Sequence, residues 1–170
     1  PTQKPRNQVA YRYRESTTFH PLVQVLYLVM LAFVCWTLLQ SLDDARRVLI
    51  TASVGLLLLA IALIFGRLVT DIDEEKLRVT WGYIGWPHKV IPLSNIYRSD
   101  VIDYKPIRQF GGWGIRCGRI DGQMTAAYTL RGDRGVRLSL TEEIKANLIK
   151  TRSFLIGSLE PERLQQAIGR

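Results

Sequence analysis

Two nearly uninterrupted apolar runs lie in the first half of the chain, and they restrict its fold more than anything else in it. Residues 22–39 read LVQVLYLVMLAFVCWTLL, with only Gln24 and Thr37 outside the apolar set; residues 48–65 read VLITASVGLLLLAIALIF, broken only by Thr51, Ser53 and Gly55. Each run makes about 27 Å of helix at about 1.5 Å per residue, close to the roughly 30 Å hydrocarbon layer of a bilayer. A core helix of a water-soluble domain usually shows a polar stripe, whereas neither run carries a charge. Both are expected to cross a membrane. Residues 40–47 between them suffice only for a tight antiparallel hairpin, which puts both ends on one side.

Basic residues indicate which side. Lys4, Arg6, Arg12 and Arg14 precede the first run and Arg67, Lys76 and Arg78 follow the second, against Arg46 and Arg47 in the connection. This bias predicts an inner-membrane protein with both termini in the cytoplasm. A secretory signal is excluded by the length of the first run, by the lack of a small-x-small cleavage site and by the second run. A start at Pro1 is the expected product of initiator-Met removal. The runs contain no His, Asp, Glu, Lys or Arg, so they read as an anchor, not as an ion pathway or a span that ligates pigment through histidine. Thr51 with Gly55, and Ala62 with Gly66, are small-residue pairs that would allow close helix packing.

The net charge of +8, from 23 Lys plus Arg against 15 Asp plus Glu, is unevenly placed. The arm through Pro21 holds +3, the connection none and the remainder +5, so the excess lies on one face of the bilayer. Near-surface Lys and Arg are each worth about 1 kcal/mol against an anionic leaflet. The arm, residues 1–21, is too polar to form a core. It reads either as a disordered terminus or as a segment that orders on a partner through Arg6, Tyr11, Arg12, Tyr13 and Arg14, since Tyr and Arg anchor interfaces.

From residue 66 the pattern changes to short alternating segments. Strands are expected at 67–73, 76–81, 88–91, 96–104, 112–116, 125–130, 135–140 and 152–156, punctuated by Gly85 and Pro87, Asp121 and Gly122, and Gly132, Asp133 and Gly135. An amphipathic helix at 161–169, with Pro161 in its first turn and Leu164, Ala167 and Ile168 on one face, should close the domain. The fold class is thus α+β: an N-terminal transmembrane hairpin (22–39 and 48–65) and an antiparallel β-sandwich or barrel (66–170) closed by a C-terminal helix.

Residues 110–116 (FGGWGIR), 131–138 (RGDRGVRL), 154–158 (FLIGS) and 161–164 (PERL) follow one another at spacings that resemble the bacterial pleckstrin-homology-like (PH-like) domain proteins. The resemblance spans about residues 68–170. It implies a PH-like fold that binds or scaffolds beside a membrane, with no reaction to carry over. PH-like modules on membrane helices also resemble parts of assembly factors for photosynthetic and other membrane complexes. The segment 142–149 departs from the pattern, being longer and more helix-prone than a tight turn.

No chemistry accompanies this architecture. Gly111, Gly112 and Gly114 are not followed by a helical pattern and no Walker sequence occurs; a bulge or kink explains them. His20 and His88 have no convergent ligands, so neither metal nor cofactor is expected. Cys35 and Cys117 cannot build a disulfide framework, which fits a reduced compartment; Cys117 reads as a small buried strand residue. Ser94, Ser139 and Ser158 lack a nucleophile motif, and the acid pairs Asp71/Asp73 and Glu142/Glu143 read as solvated charge. No enzyme is expected. Nucleic acid is not an expected partner, because no aromatic-stacking motif accompanies the basic charge. Arg131, Arg134 and Arg137 form a second candidate cluster, with Arg137 expected to be exposed because Val136 and Leu138 face the other way. Two readings follow: a non-catalytic accessory or assembly subunit contacting other membrane-protein subunits, or a sensor of anionic lipid headgroups through those three arginines.

Overall fold

The computed structural model describes residues 12–146 and 149–169. Helix α1 (Pro21–Gln40) and helix α2 (Ala45–Phe65) are long and apolar enough to cross a membrane, and none of their residues is buried. They run antiparallel. The Tyr27 hydroxyl of α1 donates to the Leu58 carbonyl of α2, and a Cβ on Gly55 would stand 3.2 Å from Val34 Cγ1, so Gly55 marks a close approach. Each helix start is capped locally: His20 Nδ1 accepts from Leu22 N at 3.3 Å, and Asp44 Oδ1 accepts from Arg46 N and Arg47 N at 3.0 and 3.3 Å.

The rest forms two sheets. Strands β1 (Tyr13–Thr18), β2 (Arg67–Ile72), β3 (Lys76–Trp81) and β4 (His88–Pro92) make an antiparallel four-stranded sheet in chain order. Strands β5 (Ile96–Asp103), β6 (Gly114–Ile120), β7 (Gln123–Thr129), β8 (Arg134–Ala146) and β9 (Ile149–Gly157) make a second sheet in the order β5-β8-β9-β7-β6. All eight strands expected after residue 66 are present, with shifted ends. The two sheets are separate and contribute to one core, a sandwich-like arrangement, and no closed barrel is formed among the described residues. Alternation explains the core: Leu77, Val79 and Trp81 of β3 are buried, alternating with half-buried Lys76 and Thr80 and exposed Arg78, and share one core with Val136, Leu138 and Phe154 of the second sheet.

Helix α4 (Pro161–Ile168) buries Leu164 and Ala167 in this core, as its periodicity predicts. A short helix, α3 (Pro106–Phe110), lies on the other face of the second sheet, where Phe110, Tyr104, Leu155, Ala127 and Ile120 make a smaller core. Leu155 and Phe154 are both fully buried because β9 is central and covered on both faces.

Three expectations need correction. The second sheet is mixed: β7 pairs with β9 in parallel, Thr125 opposite Ser153, because β9 inserts between β7 and β8 after the β8–β9 hairpin. The helix-prone stretch beginning at Glu142 is strand through Ala146. Its register against β9 breaks between Ser139 and Ile144, and Asn95 serves both backbone groups of Glu142, accepting from its N at 2.7 Å and donating to its carbonyl at 3.3 Å. Long-range pairing and that amide outweigh local helix propensity. Finally, residues 13–18 are not a free terminus, because they form the edge strand β1, paired with β2 from Tyr13–Ile72 to Thr18–Arg67.

Candidate membrane-facing site

The β1–β2 pairing brings together the residues that flank the helical hairpin. Thr18 and Arg67 are opposite each other, so α1 leaves one strand and α2 enters the next with only Phe19, His20 and Gly66 between helices and sheet. Gln24 Nε2 ties the first turn of α1 back to Phe19 O at 3.0 Å and Thr18 Oγ1 at 3.2 Å. Arg67 Nε donates to Ser16 Oγ at 2.7 Å, and its guanidinium lies 6.0 Å from the centre of the Tyr83 ring. Where the helix ends meet the sheets there is a cavity of about 390 Å³ lined by Phe19, Phe65, Trp81, Trp113 and Arg116. Trp113 Nε1 donates to Gly132 O at 2.7 Å, whereas Trp81 Nε1 is buried without a hydrogen-bond acceptor. The Phe65 and Trp81 rings meet edge-on at 6.1 Å, so the last residue of α2 packs directly on the sandwich core.

Of the arm residues, Arg6 and Tyr11 lie outside the described residues. Arg12 is exposed, and its backbone N donates to Ile72 O at 2.8 Å. Tyr13 and Arg14 make contacts within the chain. The Tyr13 hydroxyl donates to Glu15 Oε2 at 2.8 Å, and burial first, then the Glu15 carboxylate, pushes the phenol pKa well above its ordinary value. Arg14 Nε stands 3.3 Å from Asp71 Oδ1. Burial raises the Asp71 carboxyl, against the opposing charges of Arg14, Arg78 and Arg67. Glu15, which its sequence context does not single out, is the centre of this region. Its carboxylate also accepts from Ser158 Oγ at 2.6 Å and Leu159 N at 2.7 Å, fastening the first strand to the turn before α4. A period-two pattern of Tyr13, Glu15, Thr17 and Phe19 could have revealed the strand, but its inward face is half polar.

The three arginines of the 131–138 segment do not form a free cationic patch. Arg134 bridges Asp103 at 3.2 Å and Glu162 at 2.5 Å, and that hydrogen bond lowers the Glu162 carboxyl. Arg137 bonds Asp121 at 2.7 Å, Gln123 at 2.8 Å and Ser153 at 3.2 Å, and only 14% of its side chain is exposed. The expectation that it points into solvent fails because its face of the sheet is occupied by the β6–β7 turn. Arg131 is half-buried in the turn before β8.

The other residues considered for chemistry are dispersed. Cys117 is exposed and unpaired, not buried, because it sits on the edge strand β6; Cys35 is exposed on α1. Among the described residues no group of three or more His, Cys, Asp or Glu is placed to hold a metal. Gly111, Gly112 and Gly114 all have positive φ; Gly111 caps α3 and Gly114 opens β6, so they shape the turn between the two. A further cavity, of about 530 Å³, lies beside α3 between Asp103, Tyr104, Lys105, Arg108 and Asp133. Burial pushes the Tyr104 phenol up to about 12.

No protein-family model matches the chain, and no curated protein and no solved structure matches it significantly.

Proposed function

We propose that the chain is a non-catalytic accessory or assembly subunit of a larger bacterial membrane-protein complex, anchored by α1 and α2 in the inner membrane with its β-domain in the cytoplasm. The observation that carries this reading is the hairpin surface. Leu26, Phe33, Leu49, Leu56 and Leu57 are all about 60% exposed or more, on helices whose runs 22–39 and 48–65 contain no His, Asp, Glu, Lys or Arg. That surface needs lipid or other membrane helices against it. The cytoplasmic placement rests on the bias of Lys and Arg to the side of the β-domain.

The stacked sheets closed by α4 support a PH-like assignment of residues 66–170, while the parallel β7–β9 pair departs from an all-antiparallel plan. A photosynthetic reaction-centre and antenna complex is the specific complex that the resemblance brings in; it rests on that analogy alone. The competing reading, recognition of anionic headgroups by Arg131, Arg134 and Arg137, is weakened by the carboxylates that already bridge two of the three.

Purification in mild detergent followed by native electrophoresis tests the proposal. The chain is expected to migrate with other membrane subunits; migration alone at the mass of one chain, with nothing co-purifying, overturns it.

A further inference from the structure

The β3–β4 connection, residues 82–87, reads Gly-Tyr-Ile-Gly-Trp-Pro. Its turn is supplied by Gly82 and Gly85, both at positive φ, and by Pro87. Tyr83, Ile84 and Trp86 are needed neither for the turn nor for the core, since they are 60, 66 and 65% exposed. Three such side chains facing water in one short loop would be an unfavourable use of apolar surface.

Their position supplies a different surrounding. Tyr83 N donates to Leu63 O at 2.8 Å and Gly82 N to Arg67 O at 2.7 Å. A Cβ on Gly66 would stand 3.2 Å from Tyr83 Cε2. The loop therefore lies alongside the last turn of α2, level with Leu63, rather than beyond the helix end. Its exposed side chains continue the apolar surface of the helix, where Leu63 and Phe65 are each 39% exposed. Arg67, stacked near Tyr83, adds a cation at the same level. Aromatic rings with one polar edge, next to a cation at a helix end, match the chemistry of the zone where lipid headgroups meet acyl chains.

We propose that loop 82–87 is a third membrane-inserted element: Tyr83, Ile84 and Trp86 enter the headgroup–acyl boundary of the leaflet in which α1 begins and α2 ends, and Arg67 meets the lipid phosphates. The loop thereby holds the β-domain against the bilayer. The proposal rests on α1 and α2 being membrane spans, and its occupant is the lipid interface itself.

Collision accessibility of nitroxide labels tests it. In a Cys35→Ala/Cys117→Ala background, single cysteines replace Ile84, Leu56 in the middle of α2, and Glu74 in the β2–β3 turn at the far end of β2. All three positions are exposed, so the substitutions spare the core. The labelled full-length chain is placed in phosphatidylglycerol/phosphatidylcholine vesicles and probed with oxygen and with a water-soluble nickel chelate. The oxygen-to-nickel ratio at Ile84→Cys is expected to be severalfold above that at Glu74→Cys and below that at Leu56→Cys. A ratio at Ile84→Cys equal to that at Glu74→Cys, with Leu56→Cys still high, overturns the loop proposal and leaves the membrane spans standing. Low ratios at all three positions overturn both. Low accessibility to both reagents at Ile84→Cys, with or without spin–spin broadening, means that protein covers the loop and also overturns the proposal.

Discussion

Glu15 shows how much one half-buried carboxylate can organise. It accepts from the Tyr13 hydroxyl, the Ser158 hydroxyl and the Leu159 amide, linking the edge strand of one sheet to the end of the other. Hydrogen bonds to a charged group contribute about 1.5–3 kcal/mol each, and a buried donor left without its acceptor costs about 1–3 kcal/mol. Glu15→Ala is expected to destabilise the β-domain by about 2–4 kcal/mol on this basis. Glu15→Gln, which keeps one acceptor oxygen, should cost about half as much. Denaturant titration of the detergent-solubilised chain, followed by Trp fluorescence, measures both. Equal stability of Glu15→Ala and the parent chain would mean that these bonds are exchanged for water without loss.

At the level of elements, the join between α2 and the β3–β4 loop depends on Gly82. Its φ is +71°, and an added Cβ would overlap the carbonyl oxygens of Leu63 and Ile64. Gly122, at φ +76°, has nothing near an added Cβ. Gly122→Ala should therefore cost only the left-handed backbone strain, about 1–2 kcal/mol, whereas Gly82→Ala should also push the loop off α2. The expected signature is loss of hydrogen-exchange protection at the Tyr83 amide in Gly82→Ala and its retention in Gly122→Ala. The elements with a run or a period of their own were readable in the sequence: the two unbroken apolar helices, the alternating β3 and the amphipathic α4. β1 was hidden because its inward positions Glu15 and Thr17 are satisfied by hydrogen bonds instead of apolar contact. The strand character of 142–146 was hidden because it depends on Asn95, some fifty residues earlier in the chain. In the candidate site, Arg67 was legible as a juxtamembrane cation and Tyr13 and Arg14 as interface-type residues. That the latter two are spent on Glu15 and Asp71 depends on pairing that no local pattern encodes. The aromatic loop was passed over because Gly85 and Pro87 mark it only as a turn.

For the molecule as a whole, the boundary of the β-domain is not the end of the second apolar run. A fragment of residues 68–170 lacks β1 and leaves β2 as an open edge with an unpaired row of backbone groups. Joining residues 12–20 to 66–170 through a short Gly/Ser linker in place of the hairpin restores that edge, because Thr18 and Arg67 are already neighbours. The linked form is expected to elute as a monomer in size-exclusion chromatography and the 68–170 fragment to self-associate. Identical monomeric elution of both would show that β1 is dispensable.

The same pairing gives the hairpin the position of an insertion between two adjacent strands of one sheet, which sets an order of events during synthesis. β1 leaves the ribosome before its partner exists and must wait until both helices have been made. If α2 failed to return across the bilayer, β1 and β2 would be stranded in different compartments, the first sheet would lack an edge and Glu15 would never reach Ser158. On the proposed membrane topology, completion of the β-domain would thus be conditional on correct insertion, and a chain threaded the wrong way would expose an unfinished sheet to proteases.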